Sequence, residues 1–164
     1  MAAQTEADLD LLFDRLQTTS SVEEAITITN LIWAIWHQSD NDEVNQLMLK
    51  GMAEMSQRSY QAAVETFSDM IAMDAEFAEG WNKRATVYYL LGDYRGSVKD
   101  IERTLELEPR HFGALSGLGL IMMALDNEEA AIQAFEATLA INPTASGARE
   151  NIQQLKERQE KRSF

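Results

Sequence analysis

Two histidines, His37 and His111, are the side chains in this sequence that most readily bind a metal ion or act as a general base near neutral pH. Neither belongs to an H-E-x-x-H arrangement, which would place two metal ligands and a base on one helix. Cysteine is absent, which excludes disulfides, thiolate metal sites and thiol nucleophiles. No G-x-S-x-G elbow or phosphate-binding glycine loop occurs. We therefore predict no catalytic residue, no cofactor and no metal site.

Two further patterns resemble functional motifs but have a simpler structural interpretation. Gly113, Gly117 and Gly119 form a G-x3-G-x-G run, but the run opens a predicted helix and no strand precedes it. We interpret these glycines as sites of close helix packing. Adjacent carboxylates such as Glu128 and Glu129 are typical of a solvated helix face in an acidic protein. An enzyme is therefore the weakest functional hypothesis.

The elements that position these residues repeat every 34 residues. The only two prolines, Pro109 and Pro143, are separated by this interval. Residue classes return at the same interval in three copies, so a single repeated unit accounts for most of the chain. The matching triplets include Leu47, Trp81 and Leu115; Gly51, Ala85 and Gly119; and Phe67, Ile101 and Phe135.

Each copy has the pattern of two antiparallel helices. From Trp81 to Tyr88 apolar residues recur at helical spacing, and Gly92 then interrupts the pattern. The helical period resumes near Val98 and stops at Pro109, which lacks a backbone donor. The predicted helices span residues 6–17, 21–37, 44–57, 60–73, 78–91, 94–107, 112–125 and 128–141, with a last helix from about residue 145.

This unit resembles the tetratricopeptide repeat, and the pattern W-x3-small-x2-Y-small-large-Pro is carried by Trp81, Ala85, Tyr88, Ser97, Ile101 and Pro109. The resemblance implies an all-α fold, a right-handed superhelix of helical hairpins that forms one domain over residues 1–164. The regular units are 44–77, 78–111 and 112–145. Residues 6–39 are predicted to be a degenerate repeat that caps the N-terminal end, and residues 146–164 a C-terminal capping helix.

In this family the first helix of each unit lines a concave groove. The methionines of the first unit lie in one helical stripe, which either forms a peptide groove or belongs to the core. The carboxylate clamp of chaperone-tail receptors needs lysine and asparagine where this chain has Met48 and Met52, so we do not expect that use. The resemblance places in the groove Met48, Leu49, Met52, Met55, Glu79, Asn82, Lys83, Thr86, Tyr89, Leu90, Leu120 and Met123, with Asp10 and Asp14 added by the N-terminal pair.

Four charged or polar residues of the middle unit have predicted positions of their own. Arg110 and His111 follow the helix-ending proline and are interpreted either as the rim of the groove or as exposed turn residues. Arg84 and Asp100 stand where the next unit has leucine and alanine, so charge appears at both positions together and vanishes at both together. The resemblance predicts that these two residues form an ion pair between the two helices of the unit.

The formal net charge of −13 limits the possible partners. It opposes binding to nucleic acid or to an anionic membrane surface, and no apolar run approaches the length of a membrane span. We therefore predict a protein or peptide partner, with no nucleic acid and no membrane insertion. An apolar segment that carries some basic residues suits the charge, while solubility is the alternative explanation of the acidity.

The favoured function is a non-catalytic adaptor or scaffold that binds such a segment in the groove. The alternatives are a cytoplasmic secretion chaperone and a self-associating structural protein, so the oligomeric state stays open between a monomer and a weak homodimer. At closer range, stretches such as LMLKGMAEM resemble short alphaproteobacterial tetratricopeptide proteins that are often periplasmic. Ala2 and Ala3 suit the end left by signal-peptide cleavage. We therefore expect a periplasmic location, with the cytoplasm as the alternative.

Overall fold

The computed structural model describes residues 2–162, with side chains from Thr5 onward. Over these residues it consists of α-helices joined by short turns, and their bounds agree closely with the helical periodicity of the sequence. The last two residues of the predicted C-terminal capping segment lie outside the described residues. The helices are α1 (Ala2–Thr18), α2 (Val22–Trp36), α3 (Asp42–Ser56), α4 (Tyr60–Met73), α5 (Ala78–Leu90), α6 (Tyr94–Leu107), α7 (Phe112–Ala124), α8 (Glu128–Ile141) and α9 (Ser146–Arg162).

The helices from α3 onward stack in chain order, each packing against the next, and α5 also contacts α7. The pairs α3–α4, α5–α6 and α7–α8 are the three predicted hairpins. Helix α9 packs on α8 and covers the last hairpin with Ile152 and Leu155. The all-α repeat architecture predicted from the sequence is confirmed.

Small residues allow the two helices of a hairpin to approach closely. A Cβ atom added to Gly51 would lie 2.5 Å from the ring of Phe67, and one added to Gly119 would lie 2.5 Å from the ring of Phe135. Both phenylalanines are fully buried, and the same repeat position in the middle hairpin is Ile101. The repeated small and large residues are therefore the two sides of one packing contact.

The turns inside the three hairpins share a backbone conformation. Arg58, Gly92 and Asp126 occupy the same repeat position and have φ values of 60°, 78° and 56°. Only the middle unit uses glycine, the residue that adopts this left-handed conformation without steric cost. The next residue, Asp93 or Asn127, caps the second helix of its unit through a side-chain oxygen. This shared turn keeps the hairpins alike although their turn sequences differ.

Arg84 and Asp100 form the predicted ion pair between α5 and α6. The guanidinium donates to both carboxylate oxygens, at 2.7 and 2.9 Å, and to the Ser68 hydroxyl at 3.0 Å. It also lies over the rings of Trp81 and Tyr88, 5.2 and 5.6 Å from their centroids. The hydrogen bonds to Asp100 raise the pKa of Arg84. The third unit, with leucine and alanine at these positions, packs without a charge.

The N-terminal pair α1–α2 does not share its core with the first unit, as the predicted capping repeat would. Its buried cluster, which includes Phe13 and Trp36, is completed by Phe112 at the start of α7 and bordered by Ile141 at the end of α8. Gln17 adds polar contacts, since its amide donates to the carbonyls of residues 140 and 141 at 2.9 and 2.7 Å. The aromatic face of α2 packs against apolar residues of α7. The N-terminal pair therefore does not lie at the end of the array.

The sequence Ser21-x-x-Glu24 at the start of α2 has the spacing of a capping box, but only half of that box is formed. The Ser21 hydroxyl accepts the backbone N–H of Glu24 at 3.2 Å. The Glu24 carboxylate does not return to Ser21 but accepts hydrogen bonds from Arg15 and Thr19. These bonds lower the pKa of Glu24 and join the two helices of the N-terminal pair.

Candidate functional site

The face formed by the first helices of the units, α3, α5 and α7, is the predicted groove, and α2 lies against part of it. Trp33 contacts the start of α7 so closely that a Cβ atom on Gly113 would lie 2.4 Å from the indole. Trp36 stacks on the His111 ring with centroids 4.2 Å apart and an interplanar angle of 11°. The ring of Phe112 meets Trp33 edge-on at 5.4 Å. The N-terminal pair therefore covers one end of this face.

We expect Gly113→Val to push Trp33 away and loosen α2 from α7, because the added carbons would overlap the indole. A loss of about 1–3 kcal/mol in the free energy of unfolding is typical of such overpacking. Hydrogen exchange by mass spectrometry should show faster exchange in α1 and α2 than in α3 and α4. Gly147→Val, at a position with open space around the glycine, is the matched control. Unchanged exchange in α1 and α2 would contradict the contact.

A fully buried carboxylate, Glu79, anchors this covered end. Its oxygens lie 2.7 Å from His111 Nε2, 3.1 Å from Lys83 Nζ and 3.2 Å from His37 Nε2. Asn82 donates its side-chain amide to both oxygens at 3.2 Å. His37 Nε2 makes no hydrogen bond, although it lies close to the Glu79 carboxylate. One acid from α5 thus holds groups from α2, α5 and the start of α7.

The hydrogen bonds of His111 fix its tautomer. Its Nδ1 accepts the backbone N–H of Ala114 at 3.0 Å and caps α7, so the proton is on Nε2, which donates to Glu79. Burial alone would raise the pKa of Glu79, but the hydrogen bond from His111, the nearby His37 and the charge of Lys83 outweigh the effect of burial and lower that pKa. Glu79 is therefore ionised in the folded protein.

The sequence interpretation of the two histidines needs correction. His37 and His111 belong to no common sequence motif, yet both lie against the carboxylate of Glu79. His111 was predicted as a rim or exposed turn residue and is instead fully buried as the N-cap of α7. In the part of the chain that the structure describes, no cluster of three or more histidine, aspartate or glutamate side chains is arranged to hold a metal ion. Glu79 and the side chains around it, His37, Lys83, Asn82 and His111, form an ionic anchor between the N-terminal pair and the array.

Arg110, the other predicted rim residue, is also occupied by the N-terminal pair. Its guanidinium lies 2.6 Å from Asp10, 2.9 Å from Glu6 and 3.0 Å from Glu108, and it covers the ring of Phe13 at 4.6 Å. Burial opposes the charge, but these carboxylates raise the pKa of Arg110 above its ordinary value. This arginine is already neutralised by acids of its own chain.

The predicted groove residues divide into buried and exposed sets. Met48 is buried with Phe67, and Met55 packs against the same cluster, so both belong to the core and not to an open stripe. Glu79 and Asn82 are covered, and Met123 packs against the cluster that α8 and α9 share. The apolar members that stay open are Leu49, Met52, Leu90 and Leu120, with exposed fractions of 71%, 42%, 46% and 36%.

A pocket of about 310 Å³ lies beside the covered end, and Leu120 is the one of these four exposed residues that lines it. Trp33 of α2 forms one wall, with Tyr89 and Thr86 of α5 and Leu120 of α7 around it. Trp33 lines this pocket but is not among the groove residues predicted from the sequence. The spacing of Trp33 and Trp36 along α2 was the available signal, because two such rings on one helical face require a cover.

The sequence matches the family profile described as tetratricopeptide repeat over residues 48–95 and 82–146. Together with the stacked hairpins, this match shows that the protein belongs to the tetratricopeptide repeat family. A TPR repeat-containing protein from Rhizobium etli is 36% identical over 150 residues, which cover 92% of this chain and 74% of that protein.

Proteins of lower sequence identity contain the same repeat, in one case within a longer chain and in another as a separate domain. The small glutamine-rich tetratricopeptide repeat-containing protein 2 of Mycosarcoma maydis is 22% identical over 121 residues, or 73% of this chain and 34% of that protein. A solved structure of the first tetratricopeptide domain of Spaghetti (RPAP3), bound to the HSP90 peptide SRMEEVD, has a TM-score of 0.68 at 21% identity. The likeness covers 72% of this chain and 94% of that one, and it shows a shared fold.

No helix in the described range 2–162 combines the length and the apolar character that crossing a membrane requires.

Proposed function

We propose that this protein is a non-catalytic adaptor that binds an apolar segment of another protein along the open part of the first-helix face. The observation that carries the proposal is that the first helix of each of three successive units has exposed apolar side chains. Met52 and Leu120 occupy the same repeat position on α3 and α7, Leu49 is also on α3, and Leu90 ends α5. Burying such side chains against a partner is favourable, at about 25 cal/mol for each Å² of apolar surface.

The charges around this face favour a segment that is neutral or basic. Three cations of this region, Lys50 and Lys83 on the first helices and Arg110 before α7, are already paired with carboxylates of the chain itself. The net charge of −13 adds a field that attracts cations. The structural relative described above binds a peptide with two adjacent glutamates and a final aspartate. Met48 and Met52 stand at the clamp positions here, so we do not extend that acidic ligand to this chain.

Site-specific crosslinking in cells tests the proposal. A photoreactive residue at Met52 or Leu120 should give adducts with one protein, whose crosslinked segment mass spectrometry then identifies. The control places the same residue at Leu125, which is 53% exposed but lies in the turn after α7. A synthetic copy of the segment should bind the purified protein, and Met52→Glu should weaken binding by about tenfold, because a charge replaces an apolar contact.

Adducts that are equally frequent at Leu125, or a segment that binds Met52→Glu unchanged, would contradict the proposed face. Adducts formed only between copies of this protein would favour the self-associating alternative, which light scattering over a range of concentrations would then test. A segment from a secreted protein would favour the secretion-chaperone alternative. The periplasmic location stays a prediction, and the compartment of the crosslinked partner tests it.

A further inference from the structure

The pocket beside Trp33 is built from two parts of the chain that are far apart in sequence. Trp33 comes from the N-terminal pair, while the remaining lining comes from α5, α6 and α7. Small residues, Ala85, Gly113 and Gly117, also line the pocket and leave the space between the larger side chains empty. Its volume of about 310 Å³ is near the lower end of the range of ligand pockets, which suits one large side chain.

The position of Trp33 is fixed by polar contacts that join the N-terminal pair to the array at two places. Arg110 binds Glu6 and Asp10 of α1, and Gln17 donates to two carbonyls at the end of α8. Release of the pair would also remove the cover from the buried carboxylate of Glu79 and uncover apolar rings, at a large cost in free energy. The pair is therefore a fixed part of the face and not a loosely bound plug.

The chemistry of the pocket favours a neutral, bulky group. The rings of Trp33 and Tyr89 and the side chains of Ile101 and Leu120 provide apolar walls. The one cation in the lining, Lys83, is held by Glu79 at 3.1 Å and lies 5.7 Å from the centre of the Trp33 ring. Its charge would repel a second cation from the same ring, and burial of an acid in apolar surroundings is costly.

We infer that the N-terminal pair and the repeat array form one composite site, in which the pocket between Trp33 and Tyr89 receives an aromatic side chain of the partner segment. This rests on the proposed function and deepens it. Next to the pocket, Trp33 already packs against Phe112 and Trp36 against His111. An aromatic side chain of the partner would therefore extend an aromatic interface that exists within the chain. Aromatic pairs in stacked or edge-on arrangements of this kind are favourable beyond the apolar area they bury.

Binding of N-acetyl-tryptophanamide to the full chain, followed by ¹H–¹⁵N NMR, tests the pocket without knowledge of the partner. We expect saturable shifts of the Trp33 indole N–H and the Gly113 and Gly117 amides. The Trp81 indole, which donates to the carbonyl of Ala75, is the internal control and should not move. N-acetyl-lysinamide and N-acetyl-glutamamide should bind at least tenfold more weakly. Equal shifts with all three probes, or none with the aromatic probe, would overturn the inference.

Three variants test the pocket, and one of them, Trp33→Ala, also separates a composite site from a displaceable plug. Gly117→Leu should fill the pocket, because its first side-chain carbon would meet Ile101 at an ordinary contact distance of 3.6 Å, and should weaken aromatic binding about tenfold. Gly147→Leu, on the open surface of α9, should leave it unchanged. Trp33→Ala removes one wall and should also weaken binding. Tighter binding to Trp33→Ala would show that the pair competes with the ligand, and would overturn the composite site.

These outcomes are independent of the crosslinking experiment. Crosslinks at Met52 with no aromatic binding beside Trp33 would keep the adaptor function and remove the pocket. Aromatic binding beside Trp33 without any crosslinked partner would keep the pocket and remove the proposed function.

Discussion

Replacing Glu79 with alanine is expected to reduce the free energy of unfolding by about 3–5 kcal/mol, the range found when one partner of a buried ionic group is removed. The change would leave the buried Nε2–H of His111 and the amide of Asn82 without their acceptor. It would also strand Lys83 and the imidazole of His37 near a cavity. Urea unfolding followed by circular dichroism measures the loss.

The position of the damage distinguishes this anchor from general destabilisation. Because Glu79 joins α2 to α5 and to the start of α7, hydrogen exchange should accelerate first in α1 and α2. Glu79→Gln is the matched variant, since it keeps the size and one acceptor but removes the charge, and we expect an intermediate loss. Glu76→Ala, at an exposed acid nearby whose ion pair with Arg103 lies on the surface, should change stability by less than about 1 kcal/mol. A full-sized effect at Glu76 would contradict the role of Glu79.

The same carboxylate makes stability depend on pH in a definite direction. The pKa of Glu79 is lower in the folded protein than its ordinary value of 4.5, so folding favours the ionised form. Its contribution is fully present above about pH 4.5 and is lost as the pH falls through the lowered value. The difference in stability between the wild type and Glu79→Gln should therefore stay nearly constant from about pH 7 to about pH 4.5 and shrink as the pH falls further, to about pH 3. A difference that grows on acidification would contradict this assignment.

Removal of Asp100 is the second large effect. Asp100→Ala should cost about 3 kcal/mol, because Arg84 would keep its charge inside the hairpin without its bidentate partner. Its remaining contacts, the Ser68 hydroxyl and the rings of Trp81 and Tyr88, do not neutralise that charge. Urea unfolding at neutral pH measures the change.

The third unit supplies the control for this pair. Leu118 and Ala134 occupy the two equivalent positions there, so the double variant Arg84→Leu, Asp100→Ala copies an arrangement that the same chain already packs. Replacement of a buried ion pair by apolar residues is often neutral or stabilising. The double variant should therefore recover most of the stability that Asp100→Ala loses. A double variant as unstable as the single one would show that the stranded charge is not the cause.

Much of this fold could be predicted from residues close together in sequence. The helix ends follow from Pro109, Pro143 and the interrupting turns. A proline, which lacks a backbone N–H, and a turn residue with positive φ each end a helix through interactions with residues close in sequence. The pairing of Gly51 with Phe67, and of Gly119 with Phe135, follows from the repeat itself. A repeat contacts mainly its neighbours, so local patterns are enough to define the array.

The candidate site was predicted only in part. The family resemblance placed Met52 and Leu120 in the groove, and both side chains are exposed. It could not show that Met48 turns into the core, because a methionine stripe on a helix suits either environment. It also offered the rim residues Arg110 and His111 as open, although acids of α1 bind the first and α2 covers the second.

The sequence by itself determined three hairpins, their boundaries and the ion pair inside the middle one, since each depends on spacing within a unit or on a comparison between units. Only the tertiary structure decided where the N-terminal pair lies. That choice depends on contacts between residues that no local pattern connects, such as Glu6 with Arg110 and His37 with Glu79. The N-terminal pair buries its aromatic face against α7, and the free energy of that burial determines which part of the first-helix face stays open.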